Sequence, residues 1–152
     1  MNHTCGSLKK PVGYYYVDIP VMEYREAWTL QVRLVQAREE GILDRDIILS
    51  LQHPPVYTLG RRGGRDNLKV PDTLLEGRGI EVVQVERGGD ITYHGPEQLV
   101  VYPIVDLRSA RFKVVDFVEA LEEIMIYQMP DFIRTREEVF GFLLAVIRER
   151  TN

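Results

Sequence analysis

Ile47-Ile48-Leu49-Ser50-Leu51-Gln52-His53-Pro54-Pro55-Val56-Tyr57-Thr58-Leu59-Gly60 holds two short apolar runs on either side of a double proline. The first run, 47–51, is rich in β-branched residues and bounded by Asp46 and Pro54, which predicts a buried strand. Val56 to Leu59 predicts a second. Pro54-Pro55 fixes the chain between them and holds His53 extended. The bland alternative for this stretch is a rigid turn followed by a solvated basic loop, Gly60-Arg61-Arg62-Gly63-Gly64-Arg65-Asp66-Asn67.

Upstream, Tyr24, Ala27, Trp28, Leu34 and Val35 recur at helical spacing within Val21–Glu40, and Gly41 ends the segment. Downstream, Pro71 to Arg78 reads as a short helix with proline in its first turn. Glu81 to Val85 reads as a strand before a turn at Gly88-Gly89, and Leu99 to Tyr102 as another, ended by Pro103. Lys113 to Gln128 is amphipathic, with Val114, Phe117, Val118, Leu121, Ile124 and Met125 on one face. Strands and helices so intermixed around one sheet predict an α/β (α+β) domain. By number, 1–20 is an N-terminal extension and first strand, 21–128 the main domain, and 129–152 an atypical tail. In that tail Phe140, Phe142, Leu143, Leu144, Val146 and Ile147 occupy nearly every side of a helix.

The chain has 152 residues, 45% apolar and 28% charged, which suits one globular domain and excludes a disordered or disulfide-stapled one. Its longest apolar run, 142–147, is too short to cross a bilayer, so no membrane association is expected. The start, Met1-Asn2-His3-Thr4-Cys5, lacks the basic and apolar blocks of a secretory signal, and the expected location is cytoplasmic. A net charge of −4 argues against a general nucleic-acid binder. Arg61, Arg62 and Arg65 form a local basic exception. Cys5, the one cysteine, allows no internal disulfide, and His3, His53 and His94 lack metal-ligand spacing, so no metal is expected.

Chemistry concentrates in Arg87-Gly88-Gly89-Asp90-Ile91-Thr92-Tyr93-His94-Gly95-Pro96. Adjacent glycines let backbone N–H groups approach a ligand. Arg87 offers a fork of donors to a carbonyl or phosphate. Thr92, Tyr93 and His94 add three polar side chains in one short reach. A structural β-turn beside a hydrogen-bonded core histidine is the plain alternative.

Together the two stretches, in this order, resemble the lipoyl(octanoyl) transferase family, also called lipoate-protein ligase B. The likeness runs from Tyr24-Arg25-Glu26-Ala27-Trp28 through both motifs, Gln98-Leu99-Val100, Tyr102-Pro103-Ile104 and Asp106-Leu107-Arg108 to Glu122. It implies a biotin/lipoate protein ligase-like fold, a mixed sheet flanked by helices and here incomplete at the C-terminus, and an acyltransferase of lipoate biosynthesis and protein lipoylation. Such an enzyme moves an octanoyl group from acyl carrier protein to a lysine of lipoyl domains, those of 2-oxoacid dehydrogenase complexes and glycine cleavage H protein. It uses no cofactor and is expected as a monomer. Matched by position, Arg87, Gly88, Gly89, Asp90, Ile91, Thr92, Tyr93 and His94 are the family's substrate-binding run. Arg61, Arg62 and Arg65 would form a docking edge for an acidic carrier.

The family keeps a Lys-Ile-Ala-type motif and a Pro-Cys-Gly-type motif in its later part, where the lysine activates an acyl-accepting thiol. Lys9, Lys10, Lys69 and Lys113 stand in no such setting and Cys5 is at the opposite end, so no catalytic residue is assigned. Glu97 replaces a glycine usual in the family after Gly95-Pro96. Beyond Tyr127 the resemblance fades. The expectation is a C-terminally truncated or frameshifted chain, inactive alone. The alternatives are a non-catalytic module that binds acyl groups or acyl carrier protein, and a non-functional truncated product.

Overall fold

The computed structural model describes residues 13–123. Cys5, the tail 129–152 and the last turn of the amphipathic segment lie outside the described residues. The described residues form two compact units that divide between Ile104 and Val105.

In the first unit the chain runs β1 (Tyr14–Ile19), α1 (Tyr24–Glu39), β2 (Asp46–Leu51), β3 (Val56–Leu59), a 3-10 turn (Arg65–Asn67), α2 (Asp72–Gly77), β4 (Glu81–Gln84), β5 (Ile91–His94) and β6 (Val100–Ile104). The mixed pairing that the family resemblance implies is present, but in two three-stranded sheets among the described residues rather than the one sheet expected. One has the order β1-β2-β6, the other β4-β3-β5. In each, the central strand pairs parallel with one neighbour and antiparallel with the other. The two central strands are consecutive in the chain, so Gln52-His53-Pro54-Pro55 is the crossing from sheet to sheet.

Every residue of Ile47–Leu51 is buried, which explains an apolar run without alternation: both faces are covered. Helix α1 turns Tyr24, Ala27, Leu30, Gln31 and Leu34 inward, whereas Trp28 and Val35, expected on that face, are exposed. The inward stripe follows the 24-27-31-34 row, and Trp28 falls at its edge, in ring contact with Tyr24. Gly41, at φ +72°, ends α1: the Ile42 N–H donates to the Ala37 carbonyl and the Gly41 N–H to that of Arg38. Arg38 then reaches the Leu43 carbonyl and the Asp46 carboxylate, both at 2.8 Å, tying the helix end to the start of β2.

Two expectations about strands need correction. Ile91–His94, assigned to no strand from the sequence, is strand β5, paired with β3 as Val56 with His94 and Thr58 with Thr92. Pro103, expected to end its strand, lies within β6 opposite Ile48. Its missing N–H is tolerated because β6 is an edge of its sheet among the described residues.

The second unit begins with a turn over 106–112, in which Asp106 accepts from the Ser109 N–H and hydroxyl. It continues in α3 (Val114–Glu123). Phe117 and Ala120 are the buried residues there and Phe112 packs edge-on against Phe117, while Val114 and Val118 are exposed, contrary to the expected face. Among the described residues no helix is long and apolar enough to cross a membrane.

Candidate functional site

Two glycine loops close against each other beside β3. The N–H groups of Gly60, Arg61 and Arg62 donate to the carbonyls of Asp90 (2.6 Å), Arg87 (2.9 Å) and Gly89 (3.1 Å). The approach is so close that a Cβ on Gly60 would stand 2.6 Å from the Gly89 oxygen, and one on Gly63 2.6 Å from the Asp90 oxygen. Arg87 lies across the junction. Its terminal nitrogens donate to the carbonyls of Gly88, Thr58 and Asp90 and to the Thr58 hydroxyl. The guanidinium fork expected to meet a carbonyl does so on the protein's own loops. The Asp90 carboxylate accepts from the Asn67 amide.

With the carbonyls of residues 87, 89 and 90 so used, the N–H groups of Gly88, Gly89 and Asp90 have no acceptor among the described residues. Gly89 is at φ +85°, which glycine adopts without strain. Successive unsatisfied N–H groups in such a turn form a donor cradle for an oxyanion or a carbonyl oxygen.

Strand β5 then separates three side chains read as one polar group. Because strand residues alternate, Thr92 and His94 lie on the Val56–Thr58 face, while Tyr93 lies on the other against Tyr57, ring centroids 5.0 Å apart. The Tyr93 ring covers Gly95, where a Cβ would meet its hydroxyl at 2.6 Å.

His94 enters an aromatic cluster that the sequence does not reveal. Its ring is nearly parallel to that of Tyr24 (17°, centroids 6.1 Å) and edge-on to that of His53 (5.6 Å). His94 Nδ1 donates to Gln98 Oε1 at 2.7 Å. The turn between them, Gly95-Pro96-Glu97-Gln98, is closed by the Gln98 N–H on the Gly95 carbonyl, with Glu97 at φ +69°. That is a type II turn, whose third position favours glycine. Here Glu97 holds it, with its N–H bonded to Gln52 Oε1 at 3.0 Å.

His53 is 1% exposed and fully engaged. Nδ1 lies 2.8 Å from the Met22 carbonyl oxygen and Nε2 2.8 Å from the Tyr102 hydroxyl. A carbonyl only accepts, so Nδ1 carries the proton and Nε2 accepts from Tyr102. Burial pushes the His53 pKa below its ordinary value, with the Met22 bond opposing, His94 adding to the fall and Glu23 opposing it. The ring is thus neutral. Burial raises the Tyr24 hydroxyl, tempered by Arg87, and raises Tyr102 much further, so both remain protonated donors.

The basic loop is partly engaged. Arg61 Nε donates to the Glu86 carbonyl and Arg65 pairs with Asp72 at 2.8 Å, both exposed. Arg62 makes no side-chain bond or ion pair among the described residues. The cluster of Tyr24, His53, His94 and Tyr102 is not legible as a unit in the sequence. The one signal is that each lies in a stretch carrying the family resemblance.

Residues 23–137 match the model of the lipoyl protein ligase A/B catalytic domain. Among curated proteins, the chain is 48% identical over 118 residues to an octanoyltransferase of Desulfotalea psychrophila, covering 78% of this chain and 53% of that one. It is 45% identical to an octanoyltransferase of Syntrophobacter fumaroxidans, covering 78% and 51%. It is 46% identical to the mitochondrial octanoyltransferase LIP2 of Arabidopsis thaliana, covering 69% and 44%. The chain spans about half the length of these relatives. The fold is similar to that of P. falciparum LipL1, solved in complex with lipoate, at a TM-score of 0.52, 12% identity and coverage of 82% of this chain and 39% of that one. A lipoate-protein ligase A bound with ATP gives 0.51, 14%, 74% and 44%. The match over residues 23–137 settles the family: this chain belongs to the lipoyl protein ligase A/B catalytic domain family, and these curated relatives are octanoyltransferases.

Proposed function

We propose that this chain carries the acyl-binding wall of an octanoyltransferase that moves an octanoyl group from acyl carrier protein to a lysine of lipoyl domains. The observation that supports this reading most is the run Arg87–His94, which sets three unpaired N–H groups at one end and the half-buried His94 at the other. Such donors suit the carbonyl oxygen of a thioester. An octanoyl chain brings about seven CH₂ and CH₃ groups, and burying them contributes roughly 5 kcal/mol. Arg61 and Arg62, on an exposed loop, suit the acidic surface of a carrier protein.

The chain has no lysine or cysteine in the motifs the family uses for acyl transfer, and the role proposed for it is binding without turnover. The test is octanoyl transfer from carrier protein to an apo lipoyl domain, with saturable binding of octanoyl carrier protein measured alongside. Binding without transfer above a no-protein control is the expected result. Transfer well above that control overturns the inactive reading, and absence of both overturns the acyl-binding one.

A further inference from the structure

His94 is held on three sides. Tyr24 from the first turn of α1 lies nearly parallel to it, His53 meets it edge-on, and Gln98 accepts from its Nδ1. A neutral imidazole with its proton on Nδ1 presents a lone pair at Nε2. That nitrogen has no partner among the described residues. His53 itself is buried with both nitrogens occupied, so it touches no ligand. What it holds is the relative placement of three elements. Met22 donates its N–H to the Gln52 carbonyl and accepts at its own carbonyl from His53, while Tyr102 on β6 donates to the other side of the ring. A leucine would fill the space without needing partners, whereas a buried imidazole is tolerated only when hydrogen-bonded. The two bonds set the plane of the ring on which His94 rests.

We infer that His53 and Tyr102 are positioning residues that hold His94 with Nδ1 protonated and Nε2 as a hydrogen-bond acceptor, for the N–H of the amine that receives the acyl group. The class of ligand follows from the tautomer: an unprotonated Nε2 accepts from an amine or amide N–H and cannot donate to an acyl carbonyl, a task left to the N–H groups of residues 88–90. The ligand assignment rests on the acyl-transfer reading above; the positioning of His94 does not.

Nitrogen-15 NMR of the histidine rings in the full chain at neutral pH reads the tautomers directly. His53 and His94 are both expected as Nδ1–H. In His53→Leu and Tyr102→Phe the His94 nitrogen shifts are expected to move toward the average of exchanging tautomers, while those of unrelated backbone amides stay in place. The second variant retains the His53 ring and keeps the test alive if the first does not fold. An Nε2–H form of His94 in the wild type, or His94 shifts unaltered in both variants, overturns the inference. The ligand assignment is tested with Nε-octanoyl-lysine amide and its N-methylated counterpart, which lacks the N–H. The secondary amide is expected to bind at least about tenfold more tightly, and the preference to shrink in Tyr102→Phe. Equal binding of the two overturns the acceptor role. If neither amide binds while the tautomers behave as expected, the positioning stands and the ligand assignment fails; loss of octanoyl carrier-protein binding as well overturns the acyl-binding reading.

Discussion

The Tyr102 hydroxyl lies 2.8 Å from Nε2 of His53, joining β6 to the double-proline crossing between the two sheets. Because the Met22 carbonyl takes the Nδ1 proton, this bond runs from tyrosine to histidine. Tyr102→Phe leaves a buried acceptor without a donor, and the expected loss of stability is about 1–3 kcal/mol. Denaturant unfolding measures it. A loss below about 0.5 kcal/mol would show that His53 finds another donor.

The buried His53 also predicts a pH dependence. Its folded pKa is lowered, chiefly by burial, so below about pH 6.5, the ordinary value, the unfolded chain binds more protons than the folded one. Stability therefore falls as pH falls through that value, by up to about 1.4 kcal/mol per unit for one proton, until the folded pKa is reached. His53→Leu is expected to flatten this slope between pH 7 and 5. Parallel wild-type and variant slopes would contradict it.

Gly60→Ala places a methyl against the backbone oxygens of Gly88 and Gly89, which cannot turn aside as a side chain would. Parting the two loops is expected to cost about 1–3 kcal/mol. Hydrogen exchange at the Arg61 and Arg62 amides should quicken first. Unchanged protection there would mean that the loops are not joined in solution.

Glu97→Gly is expected to stabilise the chain. A non-glycine residue at φ +69° carries about 1–2 kcal/mol of left-handed strain, partly offset by the backbone entropy that glycine loses. A gain of about 0.5–1 kcal/mol in thermal or denaturant unfolding is the expected net. The bond from this N–H to Gln52 survives the change. A loss of stability would show that the carboxylate makes a contact worth more than the strain.

Arg62→Glu tests the carrier-docking edge, since this side chain has no ion pair to lose among the described residues. Binding of octanoyl carrier protein is expected to weaken about tenfold at low salt and to converge with the wild type at high salt, as screened charges should. Salt-independent weakening would point instead to a disturbed loop.

Much of the architecture is legible in the sequence. The 47–51 run, apolar but for Ser50, and the double proline locate two strands, and Gly41 locates the end of α1, because burial on both faces, a fixed proline φ and a left-handed cap are local demands. Strand β5 is hidden in a motif rich in glycine and polar residues, since its pairing with β3 is decided by a partner more than thirty positions away rather than by its own composition. Pro103 misleads for the same reason: a proline ends a central strand but not an edge, and edges exist only once the sheet is assembled.

The sequence by itself determined the family, the glycine loops and the misfit of Glu97 after Gly95-Pro96. Only the tertiary structure decided that His53 and His94 share one cluster with Tyr24 and Tyr102, that Arg87 is spent on the protein's own carbonyls, and that Tyr93 faces away from His94. Each of these depends on strand register and on which backbone groups remain unpaired after folding, and neither is a property of neighbouring residues.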